Sequence, residues 1–191
     1  MRLFFALELS DEIKAQLVER SRDPLNLWGV CDPKNWRWVP QENLHMTVKF
    51  LGEVPDEKLD AIKTAAAEVP RIGSLELTSD RVGFFPPRGK HRVFIAHFAT
   101  DVERIRRLCC GIDTLMEPFG VQREKREFKP HVTLARSRDR FGAKVDLWER
   151  VKRHPALTGI GCRVDHLTLF QSQLSKNGSV YKVIERFALA E

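Results

Sequence analysis

The chain has 191 residues, a hydrophobic share of 42% and a formal net charge of +6. That length supports one sizeable core or two small lobes sharing an interface, and the composition excludes a disordered chain. No apolar stretch approaches the length of a membrane span, so no membrane partner is expected.

The start, "MRLFFALELSDEI", has a short apolar run followed at once by acidic residues, which predicts a first strand rather than a secretory signal, and a cytoplasmic protein. Ser10, ahead of Asp11 and Glu12, is the predicted N-cap of a helix running to about Arg20. "SRDPLNLWGVCDPKN" reads as loop, with Pro24 and Pro33 as breakers. "WRWV" and "NLHMTVKFLG" are predicted strands joined by a short turn at Pro40–Glu42. Asp56 is the predicted cap of a second helix with Leu59, Ile62, Ala66 and Val69 on one face. The strands "SLELTSDRVGFF" and "HRVFIAHF" flank the turn "PPRGK".

Thr100 and Asp101 open a third helix, with Val102, Ile105, Leu108, Ile112 and Leu115 on its buried side. "FKPHVTLAR" is a predicted strand in which Pro130 marks an edge or a strand start. A helix around Lys144–Arg153 follows, and then "CRVDHLTLFQS" and "SVYKVIERFAL" flank the turn "LSKNG". Two halves result, each with strands, an amphipathic helix and no linker between them. They predict two lobes packed as one unit, a single domain over 1–191.

The four cysteines, Cys31, Cys109, Cys110 and Cys162, form no C-x-x-C pair and suggest no disulfide framework. Adjacent Cys109 and Cys110 lie in a helical pattern, where cysteine behaves as a small core residue.

Three histidines of six stand two residues before a threonine, in "HMTVKF" from His45, "HVTLAR" from His131 and "HLTLF" from His166. Strand side chains alternate faces, so His45 and Thr47 share a face with Lys49, while Leu44, Met46, Val48 and Phe50 turn to a core. His131 and Thr133 likewise share a face, with Val132 and Leu134 behind them. Two such platforms across a cleft suit phosphodiester cleavage without a metal. A neutral imidazole takes a proton, a protonated one gives it, and the hydroxyls bond the non-bridging oxygens. Metal binding is disfavoured, because clustered Asp, Glu and Cys ligands are missing and threonine is a poor zinc ligand. A half-buried histidine bonded to backbone is the competing reading, and pattern alone leaves both open.

Spacing also leaves open whether 45 pairs with 131 or with 166. The basic surroundings of "KPHVTLAR" (Arg123, Lys125, Arg126 and Lys129 before it, Arg136, Arg138 and Arg140 after it) select 131 and suit an anionic substrate. His91, His97 and His154 match no pattern and read as surface or cleft-edge residues, and Arg92 reads as a solvated arginine.

"RLFFALELS", "NLHMTVKFLGEV", "GFFPPRGKHRVFIA", "FKPHVTLARSR" and "LTLFQSQLSKNGSVYKVIERFAL", in that order from residue 2 to about 189, resemble the RNA 2′,3′-cyclic phosphodiesterases, also called 2′-5′ RNA ligases, of the two-histidine phosphoesterase superfamily. The resemblance implies a bilobal, pseudo-twofold α+β fold, with antiparallel sheets lining a central cleft and helices outside. It implies cofactor-free, metal-independent hydrolysis of RNA 2′,3′-cyclic phosphate ends to 2′-phosphomonoesters by a monomer. His45 would be the proton donor to the departing 3′ oxygen and His131 the acceptor that activates water. Thr47 and Thr133 would hold the phosphoryl oxygens. Arg136 matches a family arginine near the phosphate, yet strict alternation puts it opposite His131, so it reaches the cleft only if the strand ends or bulges. His166 falls at no motif position and reads as an ordinary strand residue. Substrates would be cyclic-phosphate RNA ends, tRNA fragments among the candidates, or related cyclic nucleotides. Alternatives are 2′-5′ ligation at the same site and a non-catalytic RNA-binding module.

Overall fold

A computed structural model describes residues 1–22, 34–139, 157–175 and 178–189. Residues 23–33 of the predicted loop over 21–35 and the predicted helix at 144–153 lie outside the described residues.

The chain runs β1 (Arg2–Glu8), α1 (Asp11–Ser21), β2 (Trp36–Trp38), β3 (His45–Glu53), α2 (Leu59–Ala66), β4 (Leu75–Phe85), β5 (Val93–Ala99), α3 (Val102–Met116), β6 (His131–Ser137), β7 (Gly161–Val164), β8 (His166–Ser175) and β9 (Gly178–Ala188). One sheet has the order β3-β1-β8-β9 and the other β2-β6-β5-β4-β7, with every pairing antiparallel. The first order maps onto β6-β5-β4-β7, with β2 added outside β6. Each His-x-Thr strand thus lies beside a strand (β1 or β5) from which the chain reached it through a helix (α1 or α3). This is the pseudo-twofold α+β architecture, and β3 of one sheet lies against β6 of the other.

The helices form where their capping and periodicity direct. Ser10 accepts from the Ile13 amide at 3.4 Å, and Ile13 and Leu17 turn inward from α1. Asp101 accepts from the amides of Glu103 and Arg104, and Ile105, Leu108, Ile112 and Met116 are the buried stripe of α3. Val102, in the first turn and expected on that stripe, is 66% exposed. Asp56 does not cap α2. It opens a 3-10 turn over Asp56–Lys58 and accepts from the chain's first ammonium at 3.2 Å, while α2 begins at Leu59. Cys110 is exposed rather than core.

"CRVDHLTLFQS" is not one strand. It breaks at Asp165, with β7 in the second sheet and β8 in the first. Pro130 marks the start of β6, which is not an edge strand, being flanked by β2 and β5.

Leu3, Phe5 and Leu7 of β1, Met46 of β3 and Leu167 and Leu169 of β8 join the helices in one large core. Phe4, Ala6 and Phe170 form a second, smaller cluster with Tyr181 and Val183 on the opposite face of the same sheet. β1 is therefore buried on both sides, as its unbroken apolar run requires. No helix among the described residues is long and apolar enough to cross a membrane.

Candidate active site

The two His-x-Thr strands present their histidines in the same way. β3 starts at His45 after a 3-10 turn over Gln41–Asn43, which Asn43 Nδ2 ties to the Ser179 carbonyl at 2.8 Å. β6 starts at His131, just after Pro130. In each copy the ring's Nδ1 bonds the carbonyl two residues back: His45 to Asn43 at 2.7 Å and His131 to Lys129 at 2.6 Å. A carbonyl only accepts, so Nδ1 carries the hydrogen and Nε2 is left for chemistry. In β3 the Thr47 hydroxyl lies 3.0 Å from His45 Nε2 and donates to it when the ring is neutral.

A bulge follows the threonine in both strands. Ala6 and Phe5 of β1 pair with Thr47 and Lys49, so Val48 is the extra residue. Ile95 and Phe94 of β5 pair with Thr133 and Ala135, so Leu134 is the extra residue. A bulge shifts the alternation by one. Arg136 therefore joins the face of His131 and Thr133, as the conditional reading of the sequence required. The same shift overturns the expectation for Lys49 and Phe50. Lys49 turns to the helix side, where Nζ bonds Asp113 and the Gln122 carbonyl. Phe50 turns to the cleft side beside Phe4 and is 61% exposed.

The electrostatics of the two rings differ. Phe4, Phe170 and Tyr181 surround His45, with ring centroids at 5.0, 6.2 and 5.1 Å. That burial pushes its pKa down to about 4, against the Asn43 carbonyl, and the charges of Arg136, Lys14 and His131 push the same way. His131 is also lowered, first by burial and then by Arg136, while the Lys129 carbonyl works in the opposite direction. Arg136 thus acts on both histidines and His131 on His45, and the contact of β3 with β6 sets the two His-x-Thr strands side by side.

The third copy is built differently. Thr168 is fully buried and donates to Glu8 Oε2 at 2.9 Å, and Arg186 clamps the same carboxylate at 2.6 and 3.2 Å. Burial raises the Glu8 carboxyl, but the bonds from Arg186 and Thr168 outweigh it and leave it below its usual range. His166 Nδ1 donates to its neighbour Asp165 at 2.5 Å.

Two further groups near the paired histidines were given no specific role by the sequence. His97, read as a surface or cleft-edge residue, stands in direct cross-strand register with His131. The Phe85 ring contacts both, at 6.3 and 5.1 Å. Gly83 makes room for it, since a Cβ there would lie 2.7 Å from His97 Nε2. Burial, with Arg81 beside it, brings His97 to about 4. Lys14 of α1, with a side chain 13% exposed, bears on both His45 and Glu8. Only long-range pairing and helix docking create these neighbours, so no local pattern signals them. The basic run over 123–129, by contrast, is partly neutralised: Arg123 pairs with Glu117 and Arg126 with Glu124, each at 2.9 Å.

Two antiparallel sheets, each bringing a His-x-Thr strand to a shared cleft, define the two-histidine class of phosphoesterase folds. The model of the 2′-5′ RNA ligase superfamily matches residues 9–175, and the chain belongs to that family. It is similar to the RNA 2′,3′-cyclic phosphodiesterase of Thermus thermophilus, with 34% identity over 200 aligned positions that cover 99% of this chain and 90% of that protein. A crystal structure of a Thermus thermophilus protein matches with a TM-score of 0.74 and 31% identity, covering 99% of this chain and 98% of the other. The crystal structure of Escherichia coli LigT complexed with 3′-AMP matches with a TM-score of 0.76 and 25% identity, covering 100% of this chain and 98% of that one.

Proposed function

We propose that the protein hydrolyses RNA 2′,3′-cyclic phosphate ends to 2′-phosphomonoesters, with the whole chain acting as one catalytic domain. The observation that carries this is the matched presentation of His45 and His131. Each is locked by an Nδ1–H bond to a carbonyl, with Nε2 left for the cleft they share. In this reading His131 Nε2 takes a proton from water as the water oxygen attacks phosphorus. The P–O3′ bond breaks, and the 3′ oxygen receives a proton from His45 Nε2. Thr133, and Thr47 after rotating away from His45, donate to the non-bridging oxygens, while Arg136 offsets their charge. The 2′ oxygen keeps the phosphate.

With a pKa of about 4, His45 is neutral near pH 7 in the protein by itself. An arriving phosphodiester opposes the charges of Arg136 and Lys14 and raises His45, so the donor proton is taken up together with the substrate. Ligation to a 2′-5′ linkage uses the same groups with a 5′-hydroxyl in place of water, and the family's description favours keeping that second reading. All groups invoked come from one chain, so a monomer suffices. The free thiols of Cys109, Cys110 and Cys162 suit a reducing cytoplasm, with RNA fragments, those of tRNA included, as substrates.

The test is product identity after incubation with a cyclic-phosphate-ended oligonucleotide in EDTA. A 2′-monophosphate is expected, with His45→Ala and His131→Ala each losing about 10²–10⁴ in rate. A 3′-monophosphate, or activity that needs a divalent ion, overturns the scheme.

A further inference from the structure

Arg37 of β2 lies directly across from Arg136 of β6. Residues paired across antiparallel strands point to the same side, and Trp36 and Trp38, flanking Arg37, pack into the core on the other side. Arg37 therefore shares the face that carries Arg136, Thr133 and His131. Like charges set opposite each other on a sheet are destabilising. Among the described residues, no carboxylate pairs with either guanidinium. Other arginines of this chain do have acidic partners: Arg81 with Asp80, Arg104 with Asp101, Arg106 with Glu103, Arg123 with Glu117, Arg126 with Glu124 and Arg186 with Glu8. Among the described residues, Arg37 and Arg136 thus stand side by side without an acidic partner next to the candidate site, whereas Arg123 and Arg126 of the basic run over 123–129 are paired.

Arg136 shares the face of His131 beyond the β6 bulge and bears on both histidines, so in the RNA-end reading its charge serves the reacting phosphate. Arg37 is one strand further out, about 4.8 Å at backbone level, and on the flexible stem of an arginine. We propose that Arg37, one strand out from Arg136, forms a subsite for a second phosphate, the internucleotide phosphodiester next to the reacting end. This rests on the RNA-end reading above and narrows it: the substrate is an oligonucleotide rather than a cyclic mononucleotide. A guanidinium fits this ligand, because the planar Arg37 fork can engage both non-bridging oxygens of one phosphodiester while Arg136 serves the reacting phosphate.

The experiment measures binding, with no dependence on turnover. A fluorescent trinucleotide ending in a 2′-phosphate is titrated by anisotropy at several salt concentrations, with a nucleoside 2′-monophosphate as competitor. The proteins compared are the wild type, Arg37→Ala, Arg37→Lys and Arg126→Ala. Arg37→Ala is expected to lose about tenfold in trinucleotide affinity relative to mononucleotide affinity, and its log–log salt slope to fall by about 0.7. Arg37→Lys should recover the slope and only part of the affinity. Arg126→Ala should match the wild type. Equal losses on both ligands, no loss at Arg37, or a slope change at Arg126 in place of Arg37 overturns the subsite. Turnover of cyclic-phosphate-ended RNA, assayed on the same samples, reports separately on hydrolysis. Selective binding through Arg37 without turnover keeps the subsite and sinks the hydrolase reading.

Discussion

Acidification should destabilise this protein through two histidines that its cleft keeps neutral. His45 and His97 each stand at about 4 in the folded chain, against an ordinary 6.5. Between those values the unfolded chain binds protons that the folded chain refuses, so stability is complete above pH 6.5 and drains as the pH falls through 4. At about 1.36 kcal/mol per pH unit the ceiling is about 3 kcal/mol for each ring. Both rings border solvent at the cleft, which reduces the working figure to ~1–2 kcal/mol each. Together they account for ~2–4 kcal/mol out of a typical total of about 5–15. Urea unfolding midpoints measured from pH 7.5 to 4 for the wild type, His97→Gln and His45→Gln read this directly. Each variant should flatten the decline by about its own share, and histidine NMR titration should find two rings still neutral at pH 5. Parallel wild-type and His97→Gln curves would refute the argument.

The third His-x-Thr copy gives a contrast. Thr168→Val strips the bond from a buried hydroxyl to the Glu8 carboxylate and should cost about 1–3 kcal/mol in urea unfolding while kcat/KM changes only a few-fold. A collapse of activity at unchanged stability would return that copy to catalysis. The cysteines should separate under a thiol reagent at pH 8. Exposed Cys110 should label well before Cys109, whose thiol burial pushes up to about 12 and which should react only on unfolding. Equal labelling rates in the folded protein would contradict this.

The strands were legible because period-two alternation and turn residues mark them, and the helices because Ser10 and Asp101 announce their starts. Rigid alternation then failed twice in one way. Val48 and Leu134, single extra residues after the threonines, re-aim the residues that follow them, so Phe50 and Arg136 reach the cleft while Lys49 leaves it. Bulges carry no composition of their own here, since both extra residues are ordinary aliphatics. The pairing of His45 with His131 rested on flanking residues and on resemblance. The placement of His97 opposite His131 needed the register of β5 with β6, which depends on contacts far apart in sequence. The break at Asp165 was hidden because both flanks read as strand, and which sheet a strand joins is decided by its partners.

The central place of β1 has a consequence for how the protein is made. Its partners are β3, which follows soon after it, and β8, which lies some 160 residues later in the register that pairs Ala6 with Thr168. On the ribosome, the free edge of β1 must wait until nearly the whole chain has emerged. Neither half of the polypeptide can therefore mature alone, and the nascent chain carries an apolar, unpaired ribbon for most of its synthesis.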